Sequence, residues 1–158
     1  MFREMRRKKQ QRADGECAEL LRTGKRGVLA LIGEGGYPYA LPINFVYDEG
    51  ERTIYFHCAK QGHKIDAIKA CDKACFTVHG NDRLDEDGWS YHVTSVVAFG
   101  RISLVEDPET TREKARALGL KYFPTEADVD EEMAHSASRV QMLALRVEHM
   151  TGKAVHEK

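Results

Sequence analysis

Residues 37–64, YPYALPINFVYDEGERTIYFHCAKQGHK, hold two stretches of strand periodicity joined by one polar turn and closed by a second that ends in Lys64. Positions 37, 39, 41, 43, 45 and 47 are Tyr, Tyr, Leu, Ile, Phe and Tyr, whereas 38, 40, 42 and 44 are Pro, Ala, Pro and Asn. Alternation of this kind gives a strand one bulky apolar face for a core and one face of low relief. Pro42 cannot donate a ladder hydrogen bond, so the strand is expected to be bulged or at a sheet edge there, with backbone groups free for a ligand. Asp48-Glu49-Gly50-Glu51 then turns the chain into a further strand over 53–58.

Working outward, Asp14 is placed to cap a short helix carrying Cys17, Leu20 and Leu21, and Gly24 stops it before a buried strand over 28–32. With the turn at 33–36, three antiparallel strands in a row form a meander. After Gly62, Ile65, Ile68 and Ala70 oppose Lys64, Asp66 and Lys69, the spacing of a short helix. A strand over 74–78, a polar loop over 80–88 and a long strand over 91–104 follow, with Gly100 as a bulge or a point of close approach. Asp107-Pro108-Glu109 opens a helix that reaches about Leu118 or Tyr122, an acidic helix lies near 126–133, and 140–147 reads as the last strand. The pattern predicts a mainly β fold with peripheral helices, six antiparallel strands forming a small closed or split barrel. Composition alone does not choose between barrel and sandwich.

The chain has 158 residues, 42% of them apolar, which is enough for one core. The folded domain is expected over 15–158, preceded by a basic, flexible arm over 1–14 that carries Arg3, Arg6, Arg7, Lys8, Lys9 and Arg12. No aromatic residues interleave these charges, so a solvated terminus is the simpler reading than a nucleic-acid arm. Overall, 24 Lys and Arg balance 25 Asp and Glu, which removes net charge as an argument for nucleic acid or an anionic membrane. There is no run of about 18 apolar residues that would span a membrane. Cys17, Cys58, Cys71 and Cys75 read as free thiols in a reducing cytoplasm.

Gly62-His63-Lys64 would place backbone amides, an imidazole and an ammonium at a helix N-terminus, where the dipole favours anions. A bound phosphate and a merely exposed helix start are both open on local sequence. His57 alternates with Ile54, Phe56 and Cys58 and so faces solvent or a cleft, where its titration range would suit proton transfer. No metal site is expected: Cys71, Cys75, His57, His63 and His79 lack the paired spacing of zinc ligands. No dinucleotide or nucleotide phosphate loop is present, and no serine occupies a nucleophile elbow.

The segments YPYALPINFVYDEG (37–50), TIYFHCAKQGHKIDAIK (53–69), VTSVVAFGRISLVED (93–107) and LRVEHMTGKA (145–154) resemble the pyridoxamine 5′-phosphate oxidase-like, FMN-binding split-barrel superfamily, and within it the Nim-type nitroimidazole-resistance branch. The resemblance implies a homodimer with FMN at the subunit interface. It implies that Gly62, His63 and Lys64 hold the phosphate, that Asn44 and the backbone of Ile43 and Phe45 meet the ring edge, and that Cys58, Ala59, Ser95 and Val96 line the flavin. His57 matches a histidine near the flavin and becomes the candidate catalytic residue, as proton donor or substrate contact. Two departures weigh against pyridoxamine phosphate oxidation itself: Pro42-Ile43 stands where that oxidase carries an arginine, and its C-terminal Arg and His motif is missing. The function implied is an FMN-dependent reductase of small electron-poor, nitroaromatic-like molecules, with a nicotinamide donor docking transiently. A non-catalytic flavin carrier or sensor, or a split barrel holding haem or deazaflavin, is the alternative.

Overall fold

The alternation over 37–47 runs unbroken in sequence, yet the backbone breaks it into two strands at opposite ends of one sheet. The computed structural model describes residues 2–136 and 139–157. Its strands are β1 (Gln11–Arg12), β2 (Gly27–Ile32), β3 (Pro38–Ile43), β4 (Val46–Asp48), β5 (Thr53–Ala59), β6 (Lys73–Leu84), β7 (Tyr91–Leu104) and β8 (Val140–Glu157). Four helices accompany them: α1 (Asp14–Thr23), α2 (His63–Ala70), α3 (Pro108–Tyr122) and α4 (Glu126–Ser136). The antiparallel sheet runs β3-β2-β6-β7-β8-β5-β4, with β1 beside β8.

The mainly antiparallel architecture with peripheral helices is as expected, but the described residues form eight strands rather than six. The meander is also corrected. β2 and β3 form one hairpin and β4 and β5 another, and the remaining strands lie between them. The side-chain period survives the break: Pro38, Ala40 and Pro42 are exposed, while Ile43 and Phe45 are buried and Tyr39 and Tyr47 pack on the core. At the break the Phe45 amide donates to Tyr122 Oη at 3.0 Å, so a hydroxyl on α3 replaces a ladder partner. Because β3 and β4 share only the two residues between them, the sheet curls without closing.

Phe45, Phe56 and Phe76 form the centre of the core, in edge contacts with centroids 4.7 and 5.2 Å apart. Each is fully buried, and burial of such a side chain contributes about 1.5–3 kcal/mol. α1 lays Cys17, Leu20 and Leu21 on the core, and α2 adds Ile65 and Ile68. The cap of α1 differs from expectation: Ala13 is the capping residue, its amide donating to Glu16 Oε2 at 3.1 Å, and Asp14 sits in the first turn. Asp107 caps α3 as expected, accepting from the Thr110 amide at 2.7 Å.

Two strands outrun the sequence reading. β6 continues to Leu84, which reduces the polar loop to a short turn before β7, and β8 continues past Val147 along the first half of β7. Glu148 is the extra residue of a bulge opposite Phe99 and Gly100. A Cβ on Gly100 would lie 2.0 Å from the Arg146 carbonyl oxygen, so this is the close approach that the glycine permits. In the basic N-terminal run, Gln11 and Arg12 pair with Lys153 and Gly152, and Phe2 stacks on His149 with centroids 4.8 Å apart.

Candidate functional site

The two faces of β5 do different work. Ile54 and Phe56 point into the core, and the opposite face carries Tyr55 and His57 toward α3 and α4. Between that face and the helices lies a cavity of about 260 Å³. His57 from β5 and Asn44 from the strand break border it. Leu118 and Phe123 enclose it from α3 and its end, and Val129, Glu132 and Met133 from α4. The two helices close on each other at Gly119, where an added Cβ would fall 2.9 Å from Val129. The walls are mostly apolar, and the polar groups are few and convergent, the usual make-up of a small-molecule site.

Burial pushes the His57 imidazole below its ordinary value and the Lys64 charge pushes it further, against a weaker pull upward from Glu132. His57 is therefore neutral at pH 7. Burial raises the Cys58 thiol, and Lys64 offsets part of that, so Cys58 is a thiol rather than a thiolate. Asn44 Oδ1 accepts from Arg26 Nη1 at 2.9 Å, which fixes the side chain and leaves its amide group as the remaining donor.

Lys64 lies in the first turn of α2. Gly62 precedes the helix at φ 118°, a conformation L side chains rarely adopt, and its carbonyl accepts from the Ile65 and Asp66 amides at 2.9 and 3.1 Å. The amides of His63 and Lys64 thus stand at a helix start without intrahelical partners. His57, Cys58 and Lys64 form one electrostatic group, with Asn44 across the cavity. His63 goes elsewhere: its ring stacks on Tyr39, centroids 4.2 Å apart, and borders a separate cleft with Gly33 and Glu34.

The remaining expected residues are not brought to this cavity. The side chains of Ile43 and Val96 are buried in the core, and the Val96 carbonyl accepts from Thr77 Oγ1. Phe45 has no exposure, and both its amide and its carbonyl lie at Tyr122 Oη, 3.0 and 3.1 Å away. Ser95 sits mid-strand between His79 and Lys153. Ala59, exposed, closes β5 opposite Val140, itself a cavity residue.

The residues that sequence reasoning missed cluster at the break. Lys121 places its Nζ 3.8 Å from the centroid of the Phe45 ring and donates to the Leu21 carbonyl at 3.1 Å. Burial and the neighbouring Lys25 push its ammonium down to about 8. Lys25 and Arg26 also approach the Tyr122 ring, at 5.3 and 5.9 Å. These contacts span about a hundred residues of chain, and the only local trace was a Lys-Tyr pair just before the Pro124 stop.

A model of the family described as pyridoxamine 5′-phosphate oxidase matches residues 13–154, and the chain belongs to that family. The resemblance seen in the strand and turn motifs is thereby borne out. Among solved structures, the fold is similar to that of a candidate 5-nitroimidazole antibiotic resistance protein from Bacteroides thetaiotaomicron, with TM-score 0.76, 21% identity, and coverage of 93% of this chain and 87% of that one. A flavocytochrome from Azotobacter vinelandii gives 0.75 and 19%, covering 96% and 72%. An FAD-binding protein from Mesorhizobium loti gives 0.67 and 17%, covering 92% and 96%. No curated protein matches at a significant level.

Proposed function

We propose that residues 15–158 form a flavin-binding unit for FMN, and that the protein is a flavin-dependent reductase of small electron-poor, nitroaromatic-like molecules. The observation that carries this reading is the apolar cavity between β5 and the α3–α4 pair, bordered by His57 and Asn44 and lying within the field of Lys64. Membership of the family supports it, as does the likeness in fold to flavin proteins. A planar apolar ring with an anionic tail fits this chemistry. Apolar walls favour the ring, while the ammonium of Lys64 and the free amides at the start of α2 favour a phosphate.

Bound FMN would supply the electron transfer to the substrate. The chain supplies position and a polar contact. The Asn44 amide, held by Arg26, can donate to a ring-edge acceptor. His57, neutral at pH 7, is suited to hydrogen-bond a substrate or to accept a proton, and acts as an acid only at lower pH. The exposed outer edge of β3 and the exposed Tyr37 leave a surface on which a second copy of the chain would complete the site as a homodimer. A nicotinamide donor would dock transiently. Among the described residues, no helix is long and apolar enough to cross a membrane; a cytoplasmic setting is part of the proposal.

The test is anaerobic stopped-flow on protein reconstituted with FMN, with reduction by a nicotinamide donor followed by reoxidation with a nitroaromatic compound. Both phases are expected to be rapid. His57→Ala is expected to retain flavin and to turn over more slowly, by on the order of 10²-fold if it serves in proton transfer. Equal rates would leave His57 with no role in turnover, and bound flavin inert to both reagents would make the protein a carrier.

A further inference from the structure

Far along the sheet from the flavin cavity, the turn between β6 and β7 holds a second group of chemistry-bearing side chains. His92 and His156 are register partners on β7 and β8, and their rings stack with centroids 4.0 Å apart and planes within 7°. Both direct Nε2 at one carboxylate: His92 lies 3.1 Å from Asp85 Oδ1 and His156 2.6 Å from Asp85 Oδ2. One ligand atom from each of the three residues falls within 4.8 Å of the others. We propose that Asp85, His92 and His156 form a binding site for a divalent first-row transition ion such as zinc, separate from the flavin site.

The donor set is two imidazoles and one carboxylate, with positions left open for water. Ligand atoms of one zinc ion sit about 2.0–2.1 Å from the metal, so the observed spacing needs only a small opening of the carboxylate from the rings. The supporting backbone is already fixed. The Asp85 amide donates to the Ser90 carbonyl at 2.8 Å, and the Gly88 amide to the Asp85 carbonyl at 3.0 Å, which locks the turn. The histidines are held by the β7–β8 ladder, so three chain segments meet with little freedom to lose. An open cleft of about 510 Å³, bordered by His92, His156 and Arg12, gives access from solvent.

The neighbouring groups define the competition. Arg83 Nη2 stands 3.5 Å from Asp85 Oδ1 and offers the carboxylate an alternative cation. Asp87 cannot serve as a fourth ligand without breaking its own bonds, since its carboxylate already accepts from the Trp89 and Ser90 amides and the Ser90 hydroxyl. Each ring would bind through the lone pair of Nε2, so a proton there must leave when the metal arrives, and affinity should fall on acidification as protons compete with the metal.

The test is isothermal titration of chelator-treated protein with zinc chloride, repeated with Co²⁺ followed by absorption. One equivalent is expected at pH 7.5, with a Co²⁺ spectrum lacking the near-ultraviolet thiolate band that cysteine ligation would give. His92→Gln, His156→Gln and Asp85→Asn should each weaken zinc by about tenfold or more while flavin uptake is unchanged. A zinc-dependent rise in Tm should appear in the unmodified chain and vanish in His156→Gln, whose exposed site tolerates the change without loss of folding. Absence of stoichiometric binding, affinity in either histidine variant equal to that of the unmodified chain, or a thiolate band would overturn the proposal and leave an ion pair between histidines and carboxylate.

Discussion

α3 carries one lysine at its middle and another near its C-terminal end, and the two have opposite surroundings. Lys114 is 5% exposed and meets three carboxylates: Asp48 at 2.9 Å, Glu51 at 2.7 Å and Glu113 at 3.0 Å. Burial would lower its ammonium, but these partners outweigh it and hold the group well above its ordinary range. Lys121, seven residues on, has an aromatic face and a backbone carbonyl instead, and is pushed down to about 8. Lys114 latches the helix to the turn between β4 and β5. Lys121 lies over the gap between β3 and β4, where it gathers with Lys25 and Arg26 beside the cavity wall. Positive charge is neutralised by carboxylates where α3 is anchored, whereas over the gap it meets aromatic rings and backbone carbonyls.

The largest effect is expected at the Lys114 anchor. Lys114→Ala leaves Asp48 and Glu51 facing each other without their shared cation. Both carboxylates reach water, so the loss should fall at or below the range for a broken buried pair, about 2–4 kcal/mol in urea unfolding. A loss within error of zero would mean that α3 is held by apolar packing alone.

On the ligand side, Lys64→Ala should weaken FMN by on the order of 1.5–3 kcal/mol, roughly 10- to 100-fold, read by quenching of flavin fluorescence. Unchanged affinity would remove Lys64 from the site and move attention to the cations around Tyr122.

A smaller change separates the gap from the anchor. Tyr122→Phe removes the hydroxyl that accepts from the Phe45 amide and lies 2.8 Å from the Lys25 carbonyl. About 1–2 kcal/mol of stability should be lost, with amide exchange at Phe45 accelerated. Exchange as slow as before would show that the strand break does not depend on Tyr122.

The smallest effect is one of slope. Lys121 binds its proton less readily folded than unfolded, so between about pH 8 and its ordinary value of 10.5 the unfolded chain carries the extra proton. Stability should rise with pH across that window, by an amount reduced by partial exposure of the side chain, and Lys121→Met should flatten the rise. The same slope in both proteins would place the titration elsewhere.

Much of this was legible in the chain, and what was not had physical causes. Strand periodicity marked β2, β5 and most of β7, Asp107-Pro108 marked the start of α3, and Gly100 marked its close contact, because each depends on neighbouring residues. The break at Asn44 and Phe45 was hidden because the alternation continues through it, and only Tyr122, 77 residues away in sequence, shows where the backbone turns. The second half of β8 was missed because its pairing is set by β7 and β1 rather than by its own pattern. For the candidate site, one segment supplied His57 and Asn44, which border the cavity, and Lys64, whose charge acts on His57. The α3–α4 wall and the group of Asp85, His92 and His156 were not legible, since they are assembled only by packing and register.

The central claim, that this fold holds FMN, is tested most directly by the visible absorption spectrum of the purified protein with the released ligand identified by mass spectrometry. We expect a flavin spectrum and the mass of FMN. A colourless protein that also takes up no added FMN would contradict the claim.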